Sequence, residues 1–179
     1  MEPNKTSFDP SLAHLPEDVA LVGLGSNLGD RVGFIHGAIA SLDDHSGCHV
    51  IGVSQLLETE PVDSPVGSGR FINGVLLLRT SLDPEGLLAL LHGLESRQGR
   101  VREVANGPRT LDLDLLAFGR VFRDGDGLVL PHPRMHERLF VLDSVVELCP
   151  ELKLARANQQ SVRARRQLLL SSQSPEGRD

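Results

Sequence analysis

Two aspartates separated by one residue form the pair of side chains in this sequence best suited to chemistry. Asp112 and Asp114 lie in the stretch GPRTLDLDLL, residues 107–116. On a β-strand, residues two apart project from one face about 6.5–7 Å from each other. Two carboxylates on one face repel, and Mg²⁺ relieves the repulsion because it prefers hard oxygen ligands. The pattern therefore indicates a site for two Mg²⁺ ions along a phosphate chain. A solvated strand face with two charges is the alternative.

A run of arginines surrounds this pair. Between positions 97 and 138 the chain contains no lysine but has Arg97, Arg100, Arg102, Arg109, Arg120, Arg123, Arg134 and Arg138. The guanidinium fork matches phosphate oxygens two at a time. The net charge of −6 argues against binding to the backbone of a nucleic acid. The cluster thus indicates a small phosphorylated ligand, with a surface that simply prefers arginine as the alternative.

Two further segments could contact a ligand, although neither is specific alone. The glycine-rich stretch GLGSNLG, residues 23–29, follows an apolar run and precedes a helical pattern. It lacks the Lys-Ser/Thr of a Walker loop and the acidic residue of a dinucleotide fingerprint. His132 lies between two prolines in a rigid loop, where its side chain could be directed at a ligand or have a structural role.

The hydrophobic pattern predicts an α+β fold that positions these residues. Strands are predicted at residues 19–24, 50–58, 71–80 and 111–118, and helices at 30–42 and 83–99. The order β-α-β-β-α-β is the ferredoxin-like arrangement. Beyond it the sequence predicts a hairpin at 119–130 and C-terminal helices at 138–148 and 163–170.

The composition indicates one globular domain. We expect it to span residues 18–170 of the 179, between a disordered leader, 1–17, and a disordered tail, 171–179. The sequence contains neither a signal peptide nor an apolar run of about 20 residues, so a cytoplasmic location is expected. Cys48 and Cys149 are far apart and are interpreted as buried thiols.

Four segments together resemble the hydroxymethyldihydropterin pyrophosphokinases. They are residues 23–30, 98–102, 107–114 and 130–135, and they occur in the order seen in that family. The resemblance covers about residues 19–152. It implies transfer of pyrophosphate from ATP to the hydroxyl of 6-hydroxymethyl-7,8-dihydropterin, with release of AMP, as a step of folate biosynthesis.

The same resemblance implies roles for individual residues. Asp112 and Asp114 would hold two Mg²⁺ ions, and the catalytic arginines would be Arg100, Arg102 and Arg109. Further contacts to ATP would come from Glu95, His132 and Arg138. The pterin-binding residues would be Thr59, Glu60, Val62, Phe71, Asn73 and Phe140. Loops at residues 61–70 and 100–108 would close over the reactants.

One departure from the family lies in the second loop. It is about one residue shorter than in bacterial members and has Asn106 where they place a tryptophan over the pterin. The expected partners are the two small substrates, with no nucleic acid, no membrane and a monomeric state. A non-catalytic relative would have lost one of the aspartates, and an RNA-binding module would carry aromatic residues on the sheet and a basic surface.

Overall fold

An antiparallel sheet with helices on both faces forms the framework of the chain. The computed structural model describes residues 9, 11–61, 69–98, 109–125 and 127–173. Its strands are β1 (Val19–Ser26), β2 (Cys48–Val53), β3 (Leu57–Thr59), β4 (Phe71–Thr80), β5 (Asp112–Phe118), β6 (Arg123–Asp124), β7 (Val129–Leu130), β8 (Lys153–Leu154) and β9 (Gln160–Ser161). Its helices are α1 (Arg31–Asp43), α2 (Pro84–Arg97), α3 (Leu139–Leu148) and α4 (Val162–Gln173), with one 3₁₀ turn at Ala155–Ala157.

The main sheet has the ferredoxin-like strand order. The order is β2-β4-β1-β5, every neighbouring pair is antiparallel, and β3 also pairs with β4. Strand β1 therefore lies between β4 and β5, which it joins into one surface. The α+β fold class and the β-α-β-β-α-β order predicted from the sequence are confirmed.

The predicted second strand is divided into β2 and β3 by a buried serine. The Ser54 hydroxyl lies 3.0 Å from the backbone N–H of Val75 and accepts its hydrogen bond. The Ser54 side-chain oxygen thus accepts a hydrogen bond that a backbone carbonyl would accept in a regular strand, and the pairing of β2 with β4 ends at this residue. Gln55 then donates its backbone N–H to Glu147 Oε2, 2.9 Å away on α3.

Both helices of the core begin as the sequence predicts. Asp30 Oδ1 accepts a hydrogen bond from Gly33 N at 3.0 Å, and Asp83 Oδ1 accepts one from Gly86 N at 2.7 Å. Pro84 occupies the first turn of α2, where a missing N–H costs nothing. These caps fix the ends of the helices that cover one face of the sheet.

The sheet is buried differently on its two faces. Helices α1 and α2 cover one face through a leucine-rich core that includes Leu76, Leu78 and Leu113. On the other face α3 packs over Leu21 and Leu77, at one end only. The remaining end of that face forms a cleft.

The two cysteines are free thiols in different environments. Cys149 is buried in the core beside α3, and burial raises the pKa of its thiol to about 12. Cys48 is half-buried, and its sulfur lies 3.4 Å from the Thr80 hydroxyl. Among the described helices, none combines the length and apolar character needed to span a bilayer.

Candidate active site

The cleft brings together most of the side chains predicted to form the site. It has a volume of about 270 Å³ and lies over the ends of β1, β4 and β5, next to the start of α3. The predicted residues that line it are Thr59, Glu60, Phe71, Asn73, Arg109, Asp112, Asp114, His132, Arg138 and Phe140.

Two glycines of β1 form the floor of the cleft. Gly23 pairs with Asp114, while Gly25 pairs with Asp112 on one side and with Asn73 on the other. A Cβ atom at Gly25 would lie 3.1 Å from Asn73 Oδ1 and 3.5 Å from Asp112 Cβ. Side chains at these positions would occupy the space between the acidic strand and the amide. The alternation of the two glycines was a signal for one strand face, which the prediction missed by ending the strand at residue 24, before Gly25.

One of the two aspartates is already paired with an arginine. Arg109 Nη1 donates to Asp112 Oδ2 at 2.8 Å, and both side chains are only 18% exposed. This ion pair offsets part of the repulsion between the neighbouring carboxylates of Asp112 and Asp114. Both aspartates line the cleft, as the spacing along β5 predicted.

The end of β1 holds the backbone that carries Arg109. Asn27 donates its N–H to the Arg109 carbonyl at 3.1 Å, and its Oδ1 accepts the Arg109 N–H at 2.7 Å. The Ser26 hydroxyl donates to the Thr110 carbonyl at 2.6 Å. Ser26 and Asn27 thus hold residues 109 and 110, which lead into β5, against the end of β1. We call this set of hydrogen bonds the Asn27 clamp. Sequence reasoning missed this role, because nothing local connects positions 27 and 109.

His132 is held as a neutral ring. Its Nδ1 accepts a hydrogen bond from Arg134 N at 3.2 Å, so the hydrogen of the neutral ring lies on Nε2. Burial lowers the pKa of His132 from 6.5, and the charges of Arg138 and Arg134 lower it further, while the Asp114 carboxylate opposes them. At neutral pH the ring therefore has an Nε2–H to donate. Its backbone N–H is fixed to the Leu116 carbonyl of β5 at 2.8 Å.

Aromatic and amide groups line the opposite part of the cleft. Phe71 begins β4, and Phe140 lies in the first turn of α3. The Asn73 Nδ2 group donates to the Thr59 hydroxyl at 2.7 Å, which fixes the orientation of the amide. The Arg138 guanidinium lies 6.0 Å from the centre of the Phe140 ring. Two rings and an oriented amide suit a flat heterocycle with polar edges.

The acidic residues at the edge of this region are paired with arginines. Glu60 forms an ion pair with Arg70, and Glu58 accepts a hydrogen bond from Arg31 at 2.9 Å. The bond from Arg31 lowers the pKa of the Glu58 carboxyl. These contacts connect the start of α1 to the β3–β4 region beside the cleft.

Glu95 is not among the residues that line the cleft. It is buried on α2, at 2% exposure, and its Oε1 accepts the backbone N–H of Leu113 at 2.8 Å. Val62, Arg100, Arg102 and Asn106 lie outside the described residues, as do residues 62–68 of the first loop expected to close and all of the second, 100–108.

The strand order defines a ferredoxin-like protein, whose cleft is lined by paired carboxylates, arginines and aromatic rings. Comparisons with known proteins identify its family. The family profile of 7,8-dihydro-6-hydroxymethylpterin-pyrophosphokinase (HPPK) matches residues 21–150. A *Bacillus subtilis* protein named 2-amino-4-hydroxy-6-hydroxymethyldihydropteridine pyrophosphokinase is 41% identical over 154 residues, covering 84% of this chain and 92% of the relative. A *Pseudomonas aeruginosa* protein of the same name is 41% identical over 133 residues, covering 74% and 82%.

Solved structures show the same fold. A *Plasmodium falciparum* HPPK-DHPS structure superposes with a TM-score of 0.68 at 15% identity, over 89% of this chain and 46% of that one. This chain therefore spans less than half of that larger protein. The chain belongs to the HPPK family. The family, the fold class and the pyrophosphokinase activity in folate biosynthesis, all predicted from the sequence, are confirmed.

Proposed function

We propose that the cleft transfers pyrophosphate from ATP to the hydroxyl of 6-hydroxymethyl-7,8-dihydropterin by means of two Mg²⁺ ions held at Asp112 and Asp114. The proposal rests on one observation, which is that two different groups of side chains line the same cleft. It has paired carboxylates and an arginine at β5. It also has two phenylalanines and an oriented amide beside them. One part suits phosphates with metal ions, and the other suits a flat heterocycle.

The carboxylate pair fits Mg²⁺ better than metals with many protein ligands. Among the described residues, no group of three or more His, Cys, Asp or Glu side chains converges on one point. Mg²⁺ commonly takes one or two carboxylates and completes its octahedron with water and substrate phosphate. When bound, the ions would neutralise charge on the phosphate oxygens and orient them.

The cations of the cleft would bind the triphosphate. Arg109 and Arg138 line the cleft, and His132 would donate from Nε2 without adding charge. Arg100 and Arg102 are proposed from the family resemblance to complete the set. Glu95 is buried in this structure, so its predicted contact with ATP remains a prediction.

The pterin would bind between Phe71 and Phe140, with Asn73 at its ring edge. Because one N–H of the Asn73 Nδ2 group is donated to Thr59, the orientation of the amide is fixed, and its oxygen and second N–H would face the pterin edge. Glu60 and Val62 are proposed to lie beside the ring. Stacking on each aromatic face would contribute about 0.5–1.5 kcal/mol.

The transfer itself would require positioning more than covalent chemistry. The pterin hydroxyl oxygen forms a bond to the β-phosphorus and loses its proton to solvent, while the bond from that phosphorus to the α–β bridging oxygen breaks. The bridging oxygen leaves with the electron pair on AMP, and the β- and γ-phosphates move together. Holding the reactants in line and neutralising charge account for most of the rate in such reactions.

We retain the remaining sequence predictions as part of the proposal. They are a single catalytic domain over residues 18–170 between the leader and the tail, a monomer, and a cytoplasmic location. The described end of the leader packs against this domain, since Leu15 is buried in its core and the Ala13 carbonyl accepts a hydrogen bond from Lys153 N. The substrates are small molecules, as in the relatives.

The direct test is AMP release from ATP, Mg²⁺ and the reduced pterin by the full chain. Asp112→Asn and Asp114→Asn should each lower turnover by more than about 100-fold, since each removes charge aimed at the transition state. Asp44→Asn, an exposed change at the end of α1, is the matched control and should be neutral. Near-normal turnover in either cleft variant would refute the metal assignment, and a wild-type chain that binds both ligands but releases no AMP would instead be a non-catalytic relative.

A further inference from the structure

A second cavity lies at the opposite end of β5 from the acidic cleft. This rear pocket has a volume of about 280 Å³. It is bounded by His14 and Leu15, by Ala117 near the end of β5 and the following residues 119–122, and by the turn between residues 152 and 159. Asp112 and Ala117 are five residues apart on β5, so about 17 Å of strand separates Asp112 from the rear pocket.

The floor of the rear pocket is apolar and one wall is an exposed aromatic ring. Leu15, Leu152, Leu154 and Met135 line it and are buried in the core. Phe122 is 57% exposed, although exposing a phenylalanine leaves a large apolar area in water. An aromatic side chain so placed on an apolar floor is the kind of surface that ligand sites present.

The exposed ring is held in place by an arginine. The Arg156 guanidinium lies 4.8 Å from the centre of the Phe122 ring. Arg156 is itself fixed, because its Nε donates to the Pro131 carbonyl at 2.7 Å and its Nη2 to the Arg123 carbonyl at 3.2 Å. The ring is therefore ordered before any ligand arrives, which lowers the entropy cost of binding.

The rim of the rear pocket is cationic in an acidic protein. Arg120 and Lys153 are its two cations in the described part of the chain, and both are exposed. None of the described residues lining it is an aspartate or glutamate, whereas the whole chain has a net charge of −6. An anion would be attracted here, and a metal ion or a cationic ligand would not.

The turn at the rim has a backbone conformation that costs free energy. Asn158 and Gln159 have φ angles of 52° and 58°, the left-handed region that non-glycine residues seldom occupy. The second of them places Gln159 on the pocket lining. Such local strain tends to be retained where a side chain serves a site, and the Gln159 amide can both donate and accept.

We propose that the rear pocket binds a small aromatic carboxylate. The ring would lie on the apolar floor against Phe122, and the carboxylate would reach Arg120, Lys153 and the Gln159 amide at the rim. This site is separate from the acidic cleft, because none of the side chains that would hold the ligand lines that cleft. The inference does not depend on the proposed function, because it uses none of the cleft residues.

The test is a titration of the ¹⁵N-labelled full chain followed by NMR. The probe is naphthalene-1-carboxylate, and naphthalene-1-carboxamide is its neutral match. We expect the carboxylate to shift the amide signals of Gly119, Phe122 and Leu154 but not that of Gly25. It should bind about tenfold more tightly than the carboxamide, the factor of roughly one charge-assisted hydrogen bond.

Two variants separate the contributions of charge and ring. Lys153→Ala should weaken the carboxylate several-fold and leave the carboxamide unchanged, while Phe122→Ala should weaken both. Arg163→Ala is the control, since Arg163 is exposed, carries the same charge and does not line the pocket. Four outcomes would each overturn the proposal. The two probes could bind with equal affinity, or Arg163→Ala could weaken the carboxylate as much as Lys153→Ala does. The shifts could be confined to the acidic cleft, or no signal could shift at millimolar probe. None of these readouts involves turnover, so its failure is distinct from failure of the proposed transfer.

Discussion

Replacing Glu95 tests whether a buried carboxylate outside the cleft positions the two aspartates. Leu113 lies between Asp112 and Asp114, and its N–H points to the free edge of β5, where Glu95 Oε1 accepts it at 2.8 Å. Glu95→Met removes that acceptor with little change in side-chain length. Glu95→Gln keeps an oxygen at the same place and removes only the charge.

The expected size follows from this buried hydrogen bond. An intramolecular hydrogen bond contributes about 0.5–1.5 kcal/mol, and a buried N–H left without a partner costs about 1–3 kcal/mol. We therefore expect Glu95→Met to lower the free energy of unfolding by about 2 kcal/mol, and Glu95→Gln by roughly half as much. For a chain of this size 2 kcal/mol corresponds to a fall in Tm of about 4–8 °C.

The functional effect should appear in the dependence on Mg²⁺. Residues that orient metal ligands typically change metal affinity by about 10–100-fold when they are removed. In an AMP-release assay, Glu95→Met should raise the Mg²⁺ concentration for half-maximal rate by about tenfold or more, and Glu95→Gln should restore much of the loss. Ser96→Ala, a solvent-facing neighbour on α2, is the control.

A different outcome would refute this reasoning. If Glu95→Met raised the KM for ATP at saturating Mg²⁺ and left the Mg²⁺ dependence unchanged, Glu95 would contact the nucleotide, as the family resemblance implies. If neither quantity changed, the hydrogen bond to Leu113 would have no part in positioning the aspartates.

Three further predictions follow from the same structure. Asn73→Ala and Phe140→Ala should each weaken pterin binding by about 1–3 kcal/mol with ATP affinity unchanged, measured by calorimetry; normal pterin binding would remove that residue from the site. The pKa of His132 is lowered in the folded chain, so the unfolded chain binds more protons below pH 6.5 and stability is lost as the pH falls through that value. Urea unfolding between pH 5 and 7 should therefore show a weaker pH dependence in His132→Gln, and an unchanged one would contradict the assignment. Because burial raises the pKa of Cys149 to about 12, iodoacetamide should modify Cys48 first in the native chain, as read by mass spectrometry, and early reaction of Cys149 would contradict the packing.

The sequence predicted the parts of the site that lie on regular elements. Alternation along β5 placed Asp112 and Asp114 on one face, because a period of two is a property of any strand. The starts of α1 and α2 could also be predicted from the sequence, because Asp30 and Asp83 each accept a hydrogen bond from a backbone N–H only three residues away. The residues of the pterin region came from the family resemblance, and the structure then brought Phe71, Asn73 and Phe140 into one cleft.

The features that sequence reasoning missed all depend on contacts between distant positions. The Asn27 clamp joins residues 82 positions apart, and the bond from Leu113 to Glu95 joins residues 18 apart. Gly25 is part of the cleft floor only because β1 lies between β4 and β5. Strand order decides such contacts, and no local pattern in the chain encodes it.

The ion pair between Arg109 and Asp112 has a thermodynamic consequence for ligand binding. The Arg109 Nη1–Asp112 Oδ2 distance is 2.8 Å and both side chains are largely buried, so a metal ion that coordinates Asp112 through Oδ2 would displace the guanidinium. A displaced guanidinium in a poorly solvated site is costly unless it finds another anion, and a phosphate of the nucleotide would supply one. Metal and nucleotide would then bind with positive heterotropic coupling, and the coupling must be reciprocal: ATP would tighten Mg²⁺ by the same factor as Mg²⁺ tightens ATP.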